Sequence, residues 1–114
     1  MSYTLYGIKT CSTVGKARKW LNEHNIEHQF HDYRQAGITA EQLHFFITQS
    51  SWELLLNKRS TTWKNLDAVQ KQSINPESAV QLMLENPTLI KRPLLVSDKH
   101  FLVGFKLEDY EALL

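Results

Sequence analysis

The chain holds a single cysteine, Cys11, placed where a short run of strand formers gives way to a helical pattern. Tyr3-Thr4-Leu5-Tyr6 suits a short buried strand and stops at Gly7, a natural exit. The polar residues Lys9, Thr10, Ser12 and Thr13 surround the cysteine. Val14, Ala17 and Leu21 then recur at helical spacing, with Lys16, Arg18 and Lys19 on the wetter side. Ser12 or Thr13 is expected to cap this helix and Asn25 to end it. A lone cysteine excludes an intramolecular disulfide, and with it the disulfide-stapled class of small scaffold. It also excludes zinc sites built on two or four thiolates. Stability has to come from a hydrophobic core.

There is material for one. A domain of 114 residues buries roughly two-thirds of its extended-chain surface. Hydrophobic residues make up 42% and charged residues 22%, a balance that favours a globule over a disordered chain. Thirteen basic and twelve acidic side chains leave a formal charge of +1, so no whole-molecule field favours nucleic acid or an anionic membrane. No apolar segment reaches the roughly 18 residues of a spanning helix. Met1-Ser2-Tyr3-Thr4-Leu5 has no basic region followed by a long apolar stretch, and a cytoplasmic chain is expected.

Glu27–Tyr33 reads as a second strand. After Gly37, Thr39 and Gln42 form a capping-box pattern, Ile38 and Leu43 fit a hydrophobic staple, and Leu43, Phe46 and Ile47 supply a buried stripe. Trp52–Leu56 predicts a short helix, followed by the polar run 57–62 and another helical turn or two over Trp63–Val69. Asn75-Pro76 opens a helix whose apolar side carries Val80, Leu82, Met83 and Leu84, and Asn86-Pro87 ends it. Leu94–Val96 and Phe101–Val103, joined by Ser97-Asp98-Lys99, predict a β-hairpin. Beyond Gly104, a last helix places Leu107, Tyr110, Leu113 and Leu114 at near-helical spacing. The pattern is α/β: βαβ, a helical middle, then ββα.

A cysteine at a helix entrance is placed for activation, because exposed N–H groups and the positive end of the helix dipole favour a thiolate. Lys9 and Lys16 add positive charge nearby, and the same N–H groups can bind an oxyanion. The alternative is a small buried residue with no chemistry, although the polar neighbours of Cys11 fit a core position poorly. Three familiar cysteine or phosphate motifs fail on counting. A phosphatase loop needs arginine where Ala17 stands, and a Walker A loop needs glycine where Thr10 stands. A dithiol motif needs cysteine where Val14 stands. Arg59 and Arg92 each adjoin a break in the pattern, and guanidinium groups bind oxyanions bidentately. From spacing alone, each is read as a solvated surface charge in preference to a functional one. The five histidines are not spaced as ligands: His28 and His31 face opposite sides of a strand, and structural roles are expected for them. Trp20, Trp52 and Trp63 are read as core or rim residues.

Taken in order, these residues resemble the YffB branch of the ArsC/Spx family. The matching segments are Tyr6-Gly7-Ile8-Lys9-x-Cys11-x-Thr13, Lys16-Ala17-Arg18-x-Trp20-Leu21, Asp32-Tyr33-Arg34 and Leu55-Leu56-Asn57-Lys58-Arg59-Ser60-Thr61-Thr62-Trp63. Asn86-Pro87-x-Leu89-Ile90-Lys91-Arg92-Pro93 and Val103-Gly104-Phe105 complete the set. The resemblance implies a thioredoxin-like fold in one domain over 1–114, with a helical insertion at about 38–90. It implies that Cys11 is the nucleophile, that Arg59 and Arg92 surround an oxyanion and stabilise the thiolate, and that Pro93 is a cis-proline facing the cysteine loop. Lys9, Ser12, Thr13 and Pro93 are then expected to bind substrate. With no second cysteine in the chain, the resolving thiol is expected to be external: glutathione, or a glutaredoxin acting with it. No bound cofactor or metal is expected, and a monomer is.

Two departures from the arsenate reductases shape the substrate expected. Phe105 and Lys106 stand about where those enzymes carry a third arginine, and Ile8-Lys9-Thr10 replaces an Asn-Pro ahead of the cysteine. A tetrahedral oxyanion would lose a charge-assisted contact of roughly 1.5–3 kcal/mol. The expectation therefore moves from arsenate towards a glutathione-containing disulfide or similar small molecule. The alternative implied by the same resemblance is a non-enzymatic, Spx-like regulator that binds RNA polymerase. Spx-type redox sensing uses a cysteine pair, whose second position here is Val14.

Overall fold

Alternate side chains of Tyr3–Gly7 are buried, as expected of a strand inside a sheet. The computed structural model describes residues 2–114. In chain order the first elements are β1 (Tyr3–Gly7), α1 (Ser12–Glu23), β2 (His28–Asp32) and α2 (Tyr33–Ala36). Then come α3 (Ala40–Gln49), α4 (Trp52–Leu55), α5 (Thr61–Lys64), α6 (Ala68–Gln72), α7 (Pro76–Glu85) and a 3₁₀ turn at Pro87–Leu89. Strands β3 (Leu94–Val96) and β4 (Phe101–Val103) and helix α8 (Leu107–Glu111) complete the chain. Residues up to Ala36 together with Arg92–Leu114 form one compact unit, and Gly37–Lys91 form another.

The first unit is built on a four-stranded sheet of order β2-β1-β3-β4. β1 pairs in parallel with β2, the crossover running through α1, and antiparallel with β3. β3 and β4 form the predicted hairpin, with Leu94 opposite Val103 and Val96 opposite Phe101. Tyr3, Leu5, Val14, Ala17, Trp20, Leu21, Leu95 and Tyr110 make the core between sheet and helices. Trp20 and Phe105 meet the ring of Tyr110 edge-on, at 5.4 and 4.7 Å between centroids.

Three local expectations for this unit are corrected. Helix α1 is capped by Cys11 itself rather than by Ser12 or Thr13, which lie inside its first turn. The second strand stops at Asp32, because that carboxylate accepts the N–H groups of Arg34 and Gln35 and starts α2 at Tyr33. The last helix stops at Glu111, so Leu113 and Leu114 lie beyond it; within α8 Tyr110 is fully buried and Leu107 is 51% exposed. Asn25 does end α1, in the left-handed region at φ 57°.

In the second unit, capping decides where each helix begins. The Thr39–Gln42 box is present at α3, as predicted, and Ser51 caps α4. The helical stretch expected over Trp63–Val69 is two short helices. Ser60 starts α5 early, and a box between Asp67 and Gln70 starts α6. Asn75 and Pro76 open α7 as expected, but its buried side is Ala79, Leu82 and Met83, with Val80 and Leu84 half-buried. Helices α3, α4 and α7 pack on one another. The Asn57 N–H donates to Leu89 C=O at 2.7 Å and the Lys91 N–H to Leu55 C=O at 2.8 Å, tying α4 to the end of the unit. No helix among the described residues is long and apolar enough to cross a membrane.

Candidate active site

The cysteine loop is held at both ends. Where β1 ends, a Cβ on Gly7 would lie 2.6 Å from Val14 Cγ2, so only glycine lets the strand approach the first turn of α1 this closely. The Cys11 N–H donates to Ile8 C=O at 3.0 Å, closing a turn, and Cys11 C=O accepts the Gly15 N–H at 3.0 Å as the helix begins. Cys11 is half-buried, with an extended backbone at φ −76° and ψ 124°. Its side chain closes no conventional capping bond, sulfur being a large and diffuse acceptor, yet nearby N–H groups stabilise its anion. Burial pushes the thiol up. The N–H groups of Val14 and Thr13, together with the hydrogen bond and charge of Arg92, outweigh burial and hold it below its ordinary value.

Arg92 reaches the sulfur from two residues ahead of β3. The Arg92–Pro93 peptide bond is cis, and buried Pro93 accepts the Gly104 N–H at 2.8 Å. Behind the arginine stands Tyr33, fully buried at the start of α2. Burial pushes the Tyr33 phenol well up, the charge of Arg92 opposes this, and Tyr6 adds to it. The rings of Tyr6 and Tyr33 stack at 6.5 Å, and His31 lies 4.9 Å from Tyr6.

The structure thus places Cys11, Thr13, Arg92 and Pro93 in one unit, with the Thr13 N–H and the Arg92 side chain meeting at the Cys11 sulfur. Ser12 is exposed at the first position of α1, and Lys9 is exposed on the loop. Arg59 belongs to the second unit, where it is exposed and its N–H donates to Asn57 Oδ1 at 3.1 Å. Among the described residues, no three His, Cys, Asp or Glu side chains group as a metal site. Two histidines have local partners instead: His24 stacks on Trp20 and pairs with its C=O, and His28 pairs with Ile26 C=O.

Sequence reasoning assigned no role to three groups here. The Val14 N–H carries no side-chain signature, and Tyr33 comes to Arg92 only through the sheet. Asp32 did leave a signal, as an acidic residue closing a strand and opening a helical turn.

A stabilised thiolate beside an arginine can attack an electrophilic sulfur or receive an oxyanion. Residues 6–113 match the model of the ArsC family. The chain belongs to that family. Among solved structures, the YFFB protein is 44% identical with a TM-score of 0.92, the alignment covering 96% of each chain. An arsenate reductase (ArsC) related protein from Brucella melitensis is 46% identical with a TM-score of 0.80, over 98% of this chain and 93% of that one. The global transcriptional regulator Spx of Streptococcus mutans is 26% identical over 97% of this chain and 82% of its own. The ArsC-family chain therefore has the thioredoxin-like α/β fold of the family, with arsenate reductase-like neighbours.

Proposed function

We propose that this ArsC-family chain is a thiol-dependent reductase in which Cys11 is the nucleophile and glutathione the external reductant. The Cys11 thiolate attacks the glutathionyl sulfur of a glutathione-containing disulfide; the S–S bond breaks and the other sulfur leaves as a thiolate. A second glutathione, as its thiolate, attacks the glutathionyl sulfur of the adduct, releasing glutathione disulfide and restoring the Cys11 thiolate. Two electrons pass from glutathione to substrate, and the chain ends as it began. The observation that carries this reading is the lone thiol held below its ordinary value by Arg92 and the N–H groups of Val14 and Thr13. A glutaredoxin supplying the resolving thiol satisfies the same balance.

In this reading Arg92 favours the thiolate and its developing leaving-group charge. Lys9, Ser12 and Thr13, which flank Cys11 in sequence, and Pro93, next to Arg92, are assigned substrate contacts. Arg59, expected from the family resemblance to bind an anion, is tested on its own by the KM of Arg59→Ala, which is expected to rise. The test of the whole is turnover of the mixed disulfide of glutathione and cysteine, with glutathione as reductant. Wild type turns over, and Cys11→Ser, folded by circular dichroism, does not; equal turnover by the two ends the proposal. The match to Spx favours a second reading, a regulator binding RNA polymerase, which would take precedence if the chain retained polymerase from extract and Cys11→Ser retained it equally.

A further inference from the structure

Asp32 is only 7% exposed and lies opposite Gly7 in the β1–β2 register, beneath the start of the cysteine loop. Its two carboxylate oxygens are divided between two segments. Oδ1 accepts the Arg34 N–H at 2.7 Å and the Gln35 N–H at 3.3 Å, the local bonds that open α2. Oδ2 accepts the Lys9 N–H at 2.8 Å, across a separation of 23 residues. Lys9 is the second residue of the turn that the Cys11 N–H closes onto Ile8 C=O. The carboxylate therefore grips the loop two residues ahead of the sulfur.

We propose that Asp32 is a positioning residue for the nucleophile: its Oδ2 bond to the Lys9 N–H fixes the Ile8–Cys11 turn, and so aims the sulfur at the first-turn N–H groups of α1 and at Arg92. Without that bond, the turn keeps the Cys11-to-Ile8 hydrogen bond, but its Lys9 peptide is no longer anchored to the end of β2. The acceptor is an anion, which strengthens each N–H bond to it. Burial pushes this carboxyl up, but the N–H groups of Lys9, Arg34 and Gln35, with the Arg34 charge, outweigh burial and hold it below the usual carboxylate value. At neutral pH the Oδ2 acceptor is therefore a carboxylate.

The division of oxygens makes Asp32→Asn a selective test. An amide oxygen can replace Oδ1 towards Arg34 and Gln35, but its NH₂ then faces the Lys9 N–H, donor against donor. Lys9→Pro removes the same bond from the other end by deleting the N–H, and Lys9→Ala controls for loss of the lysine charge. The inference rests on Cys11 being the activated nucleophile, so the wild-type thiol is titrated first, by the pH dependence of its alkylation. The expected result is a wild-type thiol below its ordinary value of 9.0, with Asp32→Asn and Lys9→Pro both moved towards that value. Alkylation at pH 7 then slows roughly three- to tenfold, with secondary structure retained. Lys9→Ala falls nearer to wild type than Lys9→Pro does. Adding Asp32→Asn to Lys9→Pro brings no further slowing, because the two remove one bond.

A depressed wild-type thiol left unmoved by both substitutions overturns the inference and leaves the proposed chemistry standing. Should Asp32→Asn fail to fold, Lys9→Pro against Lys9→Ala decides alone, and equal rates for those two overturn it. A wild-type thiol at its ordinary value overturns the proposed chemistry and this inference together.

Discussion

The side chain of Arg92 hydrogen-bonds the sulfur of Cys11, 81 positions earlier in the chain, and adds its charge to the same atom. β1 and β3 are adjacent antiparallel strands, so the loop leaving one and the segment entering the other meet at the same end of the sheet. Arg92→Ala removes both the hydrogen bond and the charge. Its thiol is expected to titrate closer to 9.0 than that of wild type, with disulfide attack at pH 7 slowed roughly tenfold. Arg92→Lys restores a charge without the planar fork and is expected to fall between. Stopped-flow alkylation across pH measures all three.

The pH dependence of stability has a definite sign. Because folding lowers the Cys11 pKa, the native chain releases this proton before the unfolded chain does. The stabilisation is fully present above the unfolded value near 9.0 and is lost as pH falls through the lower, folded value. Urea unfolding of wild type and Cys11→Ser at a series of pH values checks this. The wild-type advantage should grow with rising pH inside that window and level off beyond it.

Gly7→Ala tests how closely strand and helix must approach. The added methyl would meet a β-branched side chain that is stiff and itself buried, so either β1 or the first turn of α1 must shift. The expected cost is about 1–3 kcal/mol by urea unfolding, accompanied by a raised Cys11 pKa as the helix entrance moves.

Much of this was visible in the sequence. Strand formers ending at Gly7, the Thr39–Gln42 capping pair, Asn75-Pro76 and the Leu94–Val103 hairpin are short-range signals, and each appears as predicted. The misses share a cause. Cys11 is a poor textual N-cap beside Ser12 and Thr13, and only the turn back to Ile8 makes it the boundary residue. Near-helical spacing carried the last helix on to Leu114, but it stops at Glu111, because so short a helix has little cooperative drive to continue. The approach of Arg92 to Cys11, and of Asp32 to Lys9, depends on strand order, which no local pattern encodes.

Tyr110 offers a stability test away from the sulfur. Its hydroxyl is buried with no hydrogen-bond partner among the described residues, while its ring is packed by Trp20 and Phe105. Tyr110→Phe keeps the ring contacts and removes the unsatisfied group. Stability is expected to hold or rise by up to about 1 kcal/mol in urea unfolding. A loss of that size would reveal a partner for the hydroxyl.

In the proposed chemistry Cys11 takes up a glutathionyl group and gives it back to glutathione. The most direct test of this exchange is the intact mass of the chain after exposure to glutathione disulfide at pH 7, followed by addition of glutathione. The predicted result is one glutathionyl group on wild type, none on Cys11→Ser, and its complete release by glutathione with the starting mass restored. A chain that takes up no glutathionyl group, or one whose adduct glutathione cannot remove, would contradict the proposed reductase.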